Sequence, residues 1–181
     1  MRSTILNIDP SETVDFEVRR HPVGLIPIYG SGVFIIALLI GIALLARSSG
    51  LGADFPDFFK GAMFLMVVFA VSVLVAIGTY IAARIYRTNE LIVTSENLVQ
   101  ILQTSLFSSA VSQLSLEKVQ DVTAIKRGFF ASVFNFGTIQ VETAGETANF
   151  AFRLAKDPVV AAKQINEAHE KFIKKYGIDV I

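Results

Sequence analysis

The sequence predicts an α+β membrane protein: a two-helix transmembrane hairpin, then an antiparallel β-sandwich or barrel with a C-terminal capping α-helix. Three observations carry this prediction. Residues 25–46 and 61–83 are apolar runs with no Asp, Glu, Lys, Arg or His. From Arg84 onward the hydrophobic period changes from helical to alternating. The chain then closes on one amphipathic stretch opening at Asp157-Pro158.

Each apolar run has about 22 residues, enough to cross a hydrocarbon core of roughly 30 Å as a helix. Residues 1–24 form a polar lead, acidic at Asp9, Glu12, Asp15 and Glu17, unlike a signal peptide. The lead is therefore expected in the mature protein. Ile5, Leu6 and Ile8, then Val14, Phe16 and Val18, give two short alternating stretches able to pair as strands, with sheet pairing left open. Arg19, Arg20, Arg84 and Arg87 are read as membrane-boundary anchors on the terminal side, against Arg47 and Lys60 on the loop side. By the positive-inside rule this predicts a multi-pass inner-membrane protein with both termini cytoplasmic. The connection 51–60 carries Phe55, Phe58 and Phe59, expected at headgroup level, with Asp54 and Asp57 solvated.

Beyond the second run, residues 86–177 make one domain, about the size of a compact unit. Strands are expected at 90–94, 98–103, 111–116, 119–126, 138–143 and 149–154, with turns at Ser95-Glu96-Asn97 and Ala144-Gly145-Glu146. Asp157 is expected to cap the last helix, with Pro158 at its first position and Gly177 just past its end. Ala161, Ile165, Ala168, Phe172 and Tyr176 form one apolar stripe along it.

This order of elements resembles the pleckstrin-homology (PH) architecture, and more narrowly the bacterial membrane-linked PH-like family that includes YdbS-like proteins. The resemblance rests on Tyr86-Arg87-Thr88-Asn89-Glu90-Leu91-Ile92-Val93-Thr94, on Leu116-Glu117-Lys118-Val119-Gln120-Asp121-Val122, on residues 134–145 and on the closing Asp157-Pro158. Arg20-His21 ahead of the apolar runs is also similar. Asn97 stands where that family often has arginine, and residues 104–109 lack its usual glycine. The resemblance implies a PH-like fold and membrane attachment, and it implies no enzymatic activity.

Composition excludes several functions. There is no cysteine, so disulfides and thiol chemistry are out. From Arg84 onward 11 Lys and Arg balance 10 Asp and Glu, which is no nucleic-acid footprint. His21 and His169, the two histidines, lie in separate segments and are read as structural, with no metal site and no cofactor expected. Neither a nucleophile elbow nor a phosphate-binding glycine loop is present. The turn at Ser95-Glu96-Asn97 lacks the cations of an inositide cradle. The apolar runs hold no ionisable group suited to a proton or ion path. Small residues four apart, Ala37 with Gly41, Ser72 with Ala76 and Gly78 with Ala82, would allow close helix contact within the hairpin or between copies. Gly24, Gly30 and Gly32 are read as packing residues.

The most suggestive segment is Lys126, Arg127, Phe129, Phe130 and Phe134, followed by Phe136. Cations beside aromatics can form a membrane or partner contact. The competing reading, preferred on the sequence, is that the four phenylalanines plug one end of the sandwich. The expected role is a non-enzymatic binding or scaffold module at the cytoplasmic membrane face. Its expected partners are the lipid bilayer, a membrane protein and other copies of the chain. The alternatives are a lipid-binding or lipid-sensing module and an accessory subunit of a membrane complex.

Overall fold

A computed structural model of the chain describes residues 12–48, 56–143 and 150–177. These divide into two compact units, one of residues 24–84 and the other of the residues before and after them.

The first unit is helical. Helix α1 (Leu25–Arg47) and helix α3 (Ala62–Thr88, which runs on into the second unit) are long, apolar and mostly exposed. A short helix, α2 (Asp57–Lys60), precedes α3, and Phe59 meets Phe64 edge-on at 5.0 Å. Gly32 meets Thr79, and residues 40–47 share a groove with residues 65–72, so α1 and α3 run antiparallel. A side chain at Gly32 would collide with the Thr79 hydroxyl, which explains glycine there. Ala43 and Ala46 are the other buried small residues of α1. The small residues expected to allow close contact, within the hairpin or between copies, lie partly off this seam. Ala37, Ala76 and Gly78 are exposed, and added methyls at Gly41 or Gly78 would touch nothing. Four-residue spacing of small residues recurs on every face of an alanine- and glycine-rich helix, so it does not identify the packed one.

The second unit holds two antiparallel sheets. One has the order β1 (Val14–Arg19), β2 (Glu90–Thr94), β3 (Asn97–Gln103), β4 (Ser109–Ser115). The other has the order β5 (Val119–Ile125), β6 (Phe136–Thr143), β7 (Phe150–Lys156). A 3-10 turn at Leu116–Lys118 links them, and a bridge between Arg20 and Ala155 ties the end of β1 to β7. Helix α5 (Pro158–Tyr176) packs on β5 and β6 through Ala161, Ala162, Ile165 and Ala168. One core joins both sheets and this helix: Leu91, Leu98, Leu116, Ile139, Phe152 and Ile165 are essentially buried.

The six expected strands are present, with ends displaced by a few residues. The described part of the polar lead is not an appendage: β1 pairs with β2 from Val14–Thr94 to Arg19–Glu90. Further expectations, for the stretch at residues 5–8, for Asp54 and Phe55, and for the turn at 144–146, lie outside the described residues. The capping role expected of Asp157 is corrected. Its backbone is left-handed (φ 47°, ψ 55°) and its side chain caps nothing. That carboxylate instead accepts a hydrogen bond from the Asn135 amide. Gly177 does end the helix in a left-handed conformation, as expected.

The turn between β2 and β3 is built by side chains. Thr94 Oγ1 accepts from the Asn97 N–H (2.8 Å) and donates to Glu12 Oε2 (2.9 Å). Asn97, where the resembling family often has arginine, donates to the other Glu12 oxygen at 2.7 Å.

Candidate functional site

The segment between β5 and β6 carries the largest group of exposed aromatic side chains among the described residues of the β unit. It leaves β5 at Lys126, turns at Gly128 in a φ of +90° that disfavours any side chain, and forms the one-turn helix α4 (Phe129–Val133). Asn135 brings it back to β6 with φ 55°. A relay of side chains pins both ends. The Lys126 ammonium donates to Asn135 Oδ1, and the Asn135 side-chain amide donates to the Asp157 carboxylate. The Asp157 N–H returns a bond to the Asn135 backbone oxygen at 3.0 Å. Lys126 is thus a half-buried staple, whereas Arg127 beside it is exposed.

Only Ala131 of α4 is buried. Phe129, Phe130 and Phe134 are 76%, 67% and 50% exposed, so they do not plug the sandwich. This overturns the reading preferred on the sequence. The short helix turns on Ala131, and the pinned loop ends hold its aromatic residues outward. Phe130 stands edge-on to Phe129 (5.8 Å) and stacks with Phe134 (6.4 Å). Phe136 turns the other way and lies 5.6 Å from the His21 ring.

Beside this loop the outer face of the second sheet forms an open concavity of about 450 Å³. Its polar lining is Arg127, Thr138, Gln140 and Arg153, and its apolar lining includes Ile125, Ala131, Phe136, Ala151 and Leu154. Sequence reasoning overlooked Arg153. Its outward place between inward-facing Phe152 and the left-handed Leu154 hints at a surface role, but only sheet register brings it to the cavity lined by Arg127.

The four anchor arginines divide. Arg84 and Arg87 are exposed on α3. Arg19 pairs with Glu17 (3.0 Å) and reaches Glu90 (3.9 Å). Arg20 belongs to the domain's packing: its guanidinium lies 5.5 Å from the Tyr86 ring centre and 5.9 Å from that of Phe152. Its Nε is buried and has no hydrogen-bond partner among the described residues. Burial lowers the Arg20 pKa from its usual value, Tyr86 opposes this, and the nearby Arg153 charge lowers it further.

Both histidines have structural partners. The Tyr86 hydroxyl donates to the His21 carbonyl at 2.7 Å, and His21 Nδ1 accepts from the Val23 N–H. His169 Nδ1 bonds the Leu116 carbonyl at 2.7 Å, which requires a proton on that nitrogen. Among the described residues no cluster of His, Asp and Glu could hold a metal.

Against known proteins, the sequence profile described as bacterial PH domain matches residues 23–169. A solved structure similar in part is that of a DUF1696 family protein with a pleckstrin-homology domain from Shewanella loihica PV-4. It is 13% identical, with a TM-score of 0.35 over 46% of this chain and 69% of that one. No curated protein matches.

Proposed function

This chain belongs to the bacterial PH domain family, and on that premise we propose that it is a non-enzymatic binding module held in the inner membrane by α1 and α3. The observation that carries the proposal is the uncovered state of those helices. Together with the turn before it, α1 belongs to an apolar span of 26 residues (Pro22–Arg47), and α3 is 27 residues long; their mean hydropathies are 2.5 and 2.6, and 11% and 0% of their most apolar windows are buried. A core helix of a soluble protein would be mostly covered by its own fold. Apolar surface left open on this scale calls for an apolar surrounding. Alkaline extraction of membranes tests this, with the chain expected in the pellet and refuted as a membrane protein by release into the supernatant.

The arginine asymmetry supports cytoplasmic termini. In inverted vesicles protease should then reach the β unit; protection there would reverse the topology. The contact surface is α4 with its flanks. Three exposed aromatics on a pinned loop suit capture of a membrane-bound protein, and confinement to one membrane raises the partner's effective concentration. Crosslinking in native membranes should yield adducts that Phe129→Ser/Phe130→Ser removes.

A second reading, lipid binding or sensing, is favoured by one feature of the same loop. Residues 126–137 carry no acid and, beside the stapled Lys126, expose the Arg127 cation next to aromatics, the composition of a headgroup-level contact. Full-length protein is the proper reagent for either test, because a fragment starting at Arg87 would lack β1 and leave β2 unpaired on that side.

A further inference from the structure

Among the described residues Arg127 and Arg153 are a pair of cations without counter-ions. Neither has an ion-pair or hydrogen-bond partner among the described residues, and no described carboxylate lines the concavity they share. Sheet register explains this. Asp121 pairs with Glu142 at one end of the β5–β6 ladder, whereas Ile125 pairs with Thr138 at the other. Four strand residues place those acids about 13 Å along the sheet from Thr138. Asp157 is already engaged by Asn135. Arg153 also acts on the half-buried Arg20, which adds to the unbalanced positive charge.

A guanidinium presents a planar fork of donors that fits phosphate oxygens two at a time. The Thr138 hydroxyl and the Gln140 amide can add neutral hydrogen bonds. Phe136 and its apolar neighbours supply a surface for a short carbon skeleton, and the cavity's volume of about 450 Å³ suits a small ligand.

We propose that this concavity on the outer face of β5–β6–β7 binds a phosphate ester, with the phosphate between Arg127 and Arg153 and the ester carbons against the Phe136 side. The inference deepens the contact role of the loop and rests on it through Arg127 alone. The phosphate group can come from a lipid headgroup or from a small soluble ester.

The test uses the full chain in neutral detergent micelles, with glycerol phosphate as probe and its phosphorus NMR line width as readout. Arg127→Gln and Arg153→Gln should each weaken binding about ten-fold or more. Arg153→Lys, which keeps the charge and loses the fork, should fall between, and Lys163→Gln on α5 should match the wild type. In a second arm, Arg153 of the unmodified chain is probed with phenylglyoxal in nanodiscs. Protection by phosphatidylglycerol relative to phosphatidylcholine assigns the phosphate to a headgroup, and line broadening in micelles assigns it to a soluble ester. Absence of both, or binding that persists in both glutamine variants, overturns the proposal. The Phe129→Ser/Phe130→Ser crosslinking result is read separately, so the contact role and the phosphate site can fail independently.

Discussion

In the β unit Leu98 and Ile139 have no exposed surface, whereas in the helical unit Phe69 and Leu74 are 72% and 67% exposed. The side chains are of one kind and their surroundings are opposite. The β unit folds around its own core, joined by both sheets and α5. The helical unit touches itself along a narrow seam at Gly32, Ala43 and Ala46 and leaves its remaining surface apolar. Burial in the first unit is intramolecular, so its stability is a property of the chain. In the second, whatever surrounds the helices must supply the apolar environment.

Substitutions in the two units should separate these cases. Phe152→Ala removes a buried ring that also lies under Arg20, and a loss of about 3–5 kcal/mol is expected on denaturant unfolding in micelles. A much smaller loss would mean that the sheets do not share one core. Leu74→Lys should hardly affect that transition while opposing membrane insertion by about 2.5–3.5 kcal/mol, read as the fraction resisting alkaline extraction. An unchanged fraction would refute an apolar surrounding for α3. Gly32→Val should cost about 1–3 kcal/mol in the helical seam, and Thr79→Gly should restore most of it if the collision is the cause. Asn135→Gly keeps the left-handed backbone and removes the link between Lys126 and Asp157, for an expected loss of about 1–2 kcal/mol. Phe130→Ser should change stability by less than about 0.5 kcal/mol, as for any exposed position outside a core. A loss like that of Phe152→Ala would return the α4 aromatics to the core.

Legibility followed the range of the interactions. The apolar helices, β2 and the run of α5 follow from composition and period within one segment, and the sequence reading located them closely. The role of β1 was left open because its partners lie 71 to 80 residues further along the chain, beyond any local pattern. Asp157 precedes a proline as a capping residue should, yet its carboxylate went to Asn135. The α4 phenylalanines were misjudged because hydrophobicity alone does not say which side of a loop faces inward.

The amino-acid sequence by itself determined which segments are oily helices, which are strands and how the final helix is faced, because those depend on neighbours a few positions away. Only the tertiary structure decided that the polar lead completes a sheet, that Phe129, Phe130 and Phe134 point outward, and that Arg127 and Arg153 line one hollow. The physical reason is strand register: hydrogen bonds between distant segments set which side chains become neighbours, and a one-residue slip would place Arg153 on the opposite face of the sheet.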